Sequence, residues 1–186
     1  MPTGKQTEIF LQHVLLHGED IWKACAGIAK PGKVNHSAVK INMVNVTTVT
    51  IIHASIEDVA AFAANPDNAP QWYVNIKSVE WKTLKPLQQG SRIAFKAKFL
   101  GKELSYVYEI TGFIPNEKLI MQTAGAPFPM QTMYIWQKVN NNTTKMILNN
   151  KGNLSGFSKW FVPFIRLAIK RANKKDLKLL KSILEK

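Results

Sequence analysis

The feature that most constrains this chain is a texture. From Asn42 to Lys151 apolar and polar residues alternate in short runs separated by turn-forming residues. A period of two places successive side chains on opposite faces of a strand. Hairpins this closely spaced must be antiparallel. A single long amphipathic stretch, residues 154–185, then closes the pattern. A sheet of this kind has one apolar face to bury, and one long helix laid across it is the simplest cover. The expectation is an α+β fold: a curved, seven-stranded antiparallel sheet wrapped on a long C-terminal helix.

The elements can be placed. NMVNVTTVTII, residues 42–52, is rich in β-branched residues and is predicted as the first strand. Two short helices follow it. Ser55 caps the first, Glu57 and Asp58 give it an acidic first turn, and Asn65-Pro66 ends it. The second is a brief turn from Pro66 to Trp72. Six further strands are predicted at 76–84, 90–100, 102–113, 117–124, 130–139 and 143–151, with turns at Gly101, Pro115-Asn116 and Asn140-Asn141-Asn142. On the last helix Phe157, Phe161, Phe164, Ile165, Ala168, Ala172, Leu179 and Ile183 line one side, and Pro163 marks a first turn or a kink. Upstream, residues 7–30 show a helical apolar spacing between Thr7 and Pro31-Gly32, and residues 31–41 read as a linker. The predicted organisation is a helical extension with its linker at 1–41 and one domain at 42–186. The extension is either a helix that docks on the domain or sequence upstream of a natural start at Met43.

Several functional classes are excluded or weakened at this level. Of the 186 residues only Cys25 is a cysteine, which rules out an intrachain disulfide and a cysteine-based zinc cluster. No apolar run approaches the roughly 18 residues that span a bilayer, and the start lacks the apolar core of a signal peptide, so a cytoplasmic location is expected. His13 and His17 have a two-ligand helical spacing but no well-placed third ligand, so no metal is assigned. No Gly-rich phosphate loop occurs, and no cofactor is assigned.

Alternation indicates which side chains point under the helix. Ile93, Phe95, Ala97 and Phe99 share a face, as do Leu104, Tyr106, Tyr108 and Ile110. Thr144, Met146 and Leu148 form a third such set. Strand 130–139 offers two, and the set Met130, Thr132, Tyr134 and Trp136 is favoured because Pro127-Phe128-Pro129 would continue it. The inward face is thus aromatic and nearly free of charge. Trp72, Phe95, Phe99, Tyr106, Tyr108, Phe128, Met130, Tyr134 and Trp136, with Phe161 and Ile165 from the helix, are the candidate ligand contacts. These rings either fill a core, as aromatic side chains do, or line a pocket in which tyrosine hydroxyls orient a polar end. The inward strand sets contain no His, Asp, Glu or Lys, so no catalytic residue is assigned. His53 and His36 are read as surface or internally satisfied histidines.

The charge is unevenly placed. The net charge is +13, and residues 153–186 hold 9 basic and 2 acidic side chains. Lys170, Arg171, Lys174 and Lys178 form the candidate basic surface, either a solvated helix face or a contact for nucleic acid or an anionic membrane.

Three passages carry a family resemblance. VTIIHASIEDVAAFAANPDNAPQWYVNIKSVEW, LQQGSRIAFKAKFLGKELSYVYEITGFIPNEKLIMQTAGAPFPMQTMYIW and RANKKDLKLLKSILE stand in this order at family spacing. Together they resemble the START-like, or helix-grip, superfamily, with its birch-pollen-allergen-like and polyketide cyclase/dehydratase-like members. The likeness covers about residues 44–185 and leaves residues 1–41 without a counterpart. It implies the helix-grip fold and a cavity between sheet and C-terminal helix. It implies activity less well, because the superfamily spans carriers, cyclases, receptors and chaperone partners. The leading functional expectation is binding, with or without transport, of a hydrophobic small molecule or lipid. The alternative is a cyclase, aromatase or dehydratase acting on a polyketide-like substrate, which a cavity-facing histidine or carboxylate would favour. A third reading is a module that binds RNA, the ribosome or an anionic membrane through the basic helix.

Overall fold

The computed structural model describes residues 43–99, 102–124, 129–153, 160 and 162–186. β1 (Met43–Ile52) alternates strictly at its start, with Val44, Val46 and Thr48 buried and their neighbours exposed. Ser55 ends the strand's excursion and caps α1 (Ile56–Ala64), its Oγ accepting the Asp58 N–H at 3.1 Å. Asn65 repeats the device for a single 3₁₀ turn, Pro66–Asn68, which leads into α2 (Ala69–Trp72). The remaining strands are β2 (Ile76–Trp81), β3 (Arg92–Phe99), β4 (Lys102–Ile114), β5 (Lys118–Ala124), β6 (Met130–Asn140) and β7 (Thr143–Asn153). The chain ends in α3 (Val162–Leu184).

The strands make one seven-stranded sheet in the order β1-β7-β6-β5-β4-β3-β2. Each neighbouring pair is antiparallel. The α1–α2 segment therefore carries the chain from one edge of the sheet to the other, and the later strands fill the space between by successive hairpins. Irregular pairing at Ile76/Ser78, Ile110/Gly112 and Lys138/Asn140 bends the sheet. The main core lies in that curve. Trp72, Ile110, Tyr134, Trp136, Met146 and Leu148 meet Val59, Ala60 and Ala63 of α1 and Leu177 and Leu180 of α3.

α3 is fastened at both ends. Near its start Val162, Ile165 and Ile169 pack on Val44 and Val46. Near its end Lys181 Nζ donates to the Ile51 carbonyl at 2.8 Å, and Glu185 Oε1 accepts the His53 N–H at 2.6 Å. Among the described residues no helix is long and apolar enough to cross a membrane.

Two expectations need correction. β2 stops at Trp81 rather than at 84, because Lys82 N–H already donates to the Arg92 carbonyl and Arg92 N–H to Thr83 Oγ1, which closes the hairpin. The buried stripe of α3 is also turned from the one expected. Leu177 and Leu180 are fully buried, whereas Leu179 and Phe164 are 37% and 48% exposed. The helix start expected at 154, Phe157, the helix over 7–30 and the linker over 31–41 lie outside the described residues.

Candidate functional site

The site is built where the inward faces of β3, β4 and β6 meet α2 and α3. Period-two alternation places Ile93, Phe95 and Ala97 of β3 inward, buried between exposed Arg92, Lys96 and Lys98. On β4 it brings Tyr106 and Tyr108 beside Phe95, and on β6 it buries Thr132, Tyr134 and Trp136. Trp72 ends α2, and Tyr73 caps it. The rings meet mostly edge to face, the favoured arrangement. Tyr106 and Tyr108 lie 5.5 Å apart at 89°, Trp72 and Tyr134 5.8 Å apart at 62°, and Tyr134 and Trp136 6.0 Å apart at 68°. Two apolar clusters result, one around Trp72, Tyr134 and Trp136 and one around Ile93 and Phe95. Tyr73, Tyr108 and Leu87 touch both and join them.

Polar groups run through this interior in a defined order. Thr132 Oγ1 donates to Asn150 Oδ1 at 2.6 Å, and Asn150 Nδ2 donates to Asn173 Oδ1 of α3 at 3.0 Å. With the threonine proton so committed, the Tyr108 hydroxyl donates to Thr132 Oγ1, 3.1 Å away. The chain Tyr108, Thr132, Asn150, Asn173 thus runs in one direction and ends on Asn173 Nδ2, which is buried and has no hydrogen-bond partner among the described residues. The Tyr73 and Tyr134 hydroxyls pair at 2.5 Å. Trp72 Nε1 and Trp136 Nε1 are likewise buried N–H donors without partners among the described residues.

One turn beyond Asn173 stands Asp176, 3% exposed. Its Oδ1 accepts the Val74 N–H at 3.0 Å, which fixes the chain after α2 against α3. Burial pushes its carboxyl up to about 6, against the lowering pull of the Val74 N–H and of Lys175. The tyrosines register the same charge. Burial holds the Tyr73, Tyr106 and Tyr134 hydroxyls above their ordinary range, and the Asp176 charge adds to this for all three. Tyr108 is raised by burial too, with Thr132 pulling it down. The interior therefore presents neutral phenols around one carboxyl that ionises near neutrality. Chemically, such a group can accept or return a proton, and Asn173 can donate a hydrogen bond to an oxygen.

Of the candidate contacts, Trp72, Phe95, Tyr106, Tyr108, Tyr134 and Trp136 are brought together. Met130 is not. It stands at the start of β6 with its sulfur over Gly152, outside both clusters. Ile165 packs with Val44 and Val46, away from the tyrosines. Phe128, Phe161 and the Phe99 side chain lie outside the described residues. Lys170, Arg171, Lys174 and Lys178 are exposed on the outer side of α3. The inward strand sets carry no carboxylate, and the buried one, Asp176, enters from the helix and not from a strand. Tyr73, Asn150, Asn173 and Asp176 were missed. For Asp176 a signal existed: it fills the gap, four residues on from Ala172 and three before Leu179, in the expected apolar stripe. His53 is exposed, its Nδ1 3.4 Å from Thr143 Oγ1.

A concavity of about 500 Å³ lies beside the main core, between Ala60, Ala64, Trp81, Leu87 and Phe113. Its carboxylate, Asp67, is engaged by Trp81 Nε1 at 2.7 Å and by Lys85.

The comparisons with known proteins agree with this architecture. Residues 43–185 match the family model described as polyketide cyclase / dehydrase and lipid transport. Among solved structures, a START superfamily protein from Mycobacterium smegmatis superposes with a TM-score of 0.67 at 12% identity, over 76% of this chain and 97% of that one. The Zhui aromatase/cyclase from Streptomyces sp. R1128 superposes with a TM-score of 0.66 at 12% identity, over 77% and 94%. A protein from Thermus thermophilus gives 0.63 at 14% identity, over 74% and 94%. At these identities the likeness carries the helix-grip fold and nothing finer. No curated protein matches the chain in sequence.

Proposed function

This chain belongs to the polyketide cyclase / dehydrase and lipid transport family, and on that premise we propose that it binds a hydrophobic small molecule against the aromatic face between its sheet and α3. The observation that supports this reading most is the make-up of that face. Aromatic rings supply apolar contact area, and a few polar groups in fixed order wait within it, the usual composition of a small-molecule site. Native mass spectrometry of the gently purified full chain, followed by denaturing extraction, tests it. The expected result is an apolar adduct of defined mass that is lost on denaturation. A bare mass, together with no saturable binding of a solvatochromic apolar dye, overturns it.

Asp176 favours a second reading, an enzyme of cyclase or dehydratase type, in line with the family's description and with the aromatase/cyclase named among the similar structures. A carboxyl that ionises near neutrality beside a hydrogen-bond donor is suited to moving a proton from carbon next to a carbonyl. Exchange of the α-protons of an aryl methyl ketone for solvent deuterium, followed by NMR, distinguishes the two. An enzyme accelerates it and loses the acceleration in Asp176→Asn; a carrier leaves the rate at that of the buffer.

The outer side of α3 is assigned to the partner from which an apolar ligand is taken. Exposed Lys170, Arg171, Lys174 and Lys178 suit an anionic bilayer.

A further inference from the structure

The ligand's polar end can be deduced from what the interior leaves unsatisfied, a step that rests on the binding reading above. Asn173 and Asp176 are three residues apart on α3, so their side chains share one face of the helix. Both are 3% exposed. The chain from Tyr108 through Thr132 and Asn150 engages Asn173 Oδ1 and leaves Nδ2–H₂ as a buried donor with no partner among the described residues. A buried donor without a partner is costly, and an oxygen brought to it recovers that cost. Asp176 gives one oxygen to the Val74 N–H, the one hydrogen bond it makes among the described residues. As a carboxylate it accepts hydrogen bonds only. It also repels any second anion placed beside it, strongly in a site that water enters poorly.

We propose that Asn173 and Asp176 form a head-group subsite selective for a neutral apolar molecule with a hydroxyl, which accepts from Asn173 Nδ2 and donates to Asp176, and that the subsite rejects carboxylate amphiphiles. The ligand class is accordingly phenols and alcohols on an apolar, ring-sized body, and fatty-acid anions are excluded.

A pair of probes that differ in the head alone tests this: 2-naphthol and 2-naphthoate, titrated into the full chain by calorimetry at about pH 8, where the phenol is neutral and the acid ionised. The naphthol is expected to bind at least about tenfold more tightly, the smallest ratio that a close like-charge contact should produce. Asp176→Asn keeps the size of the side chain and an oxygen for Val74, and it is expected to bring the ratio near one by admitting the naphthoate. Asn173→Leu, checked for folding by circular dichroism, is expected to weaken naphthol binding. Naphthoate binding as tightly as naphthol overturns the proposal and leaves the binding reading standing. A ratio unchanged in Asp176→Asn overturns it too. If neither probe binds, the proposal fails, and the binding reading falls with it only where the mass is bare and the dye does not bind either.

Discussion

Asp176 is where a single residue sets this molecule's behaviour. Its folded-state carboxyl ionises at about 6, above its ordinary 3.8. Below the lower value both folded and unfolded chains hold the proton, and the residue does not bias folding. As pH rises from there to about 6 the unfolded chain loses its proton first, so stability falls, and above that range the full penalty is present. At about 1.4 kcal/mol per pH unit the penalty is of the order of 3 kcal/mol. The groups around the carboxyl do not confuse the titration. Tyr73 beside α2, Tyr106 and Tyr108 of β4 and Tyr134 of β6 stay neutral across it, and Lys175 on α3 supplies a positive charge. Asp176→Asn should therefore raise the melting temperature by several degrees at about pH 8 and by almost nothing near pH 4. Thermal melts of both chains across that range check this. A difference that does not change with pH would mean that the gain has another source. The ligand preference should follow the same titration, with naphthol losing its advantage over naphthoate as pH falls through about 6.

At the scale of elements, the phase of α3 decides what lies inside. The stretch DLKLLKSIL offers Leu177, Leu179 and Leu180, and apolar spacing alone does not say which of them faces the sheet. The contacts at the two ends of the helix set it, with Ile165 and Ile169 on β1 at one end and Lys181 and Glu185 on the end of β1 at the other. Leu180→Ala should cost about 3 kcal/mol, as emptying a filled core does, while Leu179→Ala should cost well under about 1 kcal/mol. Urea unfolding of both variants checks the contrast, and equal costs would refute this phase. The strands were legible because each has one buried and one exposed face, which shows up as alternation. The aromatic wall followed directly from that reading. The polar floor did not. Asn150 reads locally as a strand end and Asn173 as the wet side of a lysine-rich helix, and only the packing of α3 against the sheet makes them interior, while Asp176 shows itself only as a polar break in an apolar stripe. Tyr73 follows a helix of four residues, too short for any periodicity to announce its direction.

At the scale of the whole molecule the question that the proposed function raises is how an apolar ligand would reach an interior covered by one helix. The outward line of α3 answers in its spacing. Phe164, Leu167, Arg171, Lys174 and Lys178 follow one another at alternating steps of three and four, so they run along a single stripe that is apolar first and basic afterwards, with Trp160 standing just before the helix. Trp160 is 83% exposed, and Leu167 is 42% exposed. A bilayer surface presents both chemistries at once, acyl chains beneath and anionic head groups above, and each lysine or arginine near such a surface contributes about 1 kcal/mol. A nucleic acid would use the charges and leave Leu167 idle. The full chain should therefore sediment with vesicles of phosphatidylcholine and phosphatidylserine but not with phosphatidylcholine alone, and the attraction should fade as salt shortens its reach to a few ångströms. Reversing three charges with Lys170→Glu, Lys174→Glu and Lys178→Glu should abolish sedimentation. Leu167→Glu should weaken it even though it leaves every lysine in place, which an attraction of charge alone would resist far better. If the triple variant still sediments, or if RNA competes the vesicles away while Leu167→Glu has no effect, the stripe serves another partner and the ligand must enter from solution.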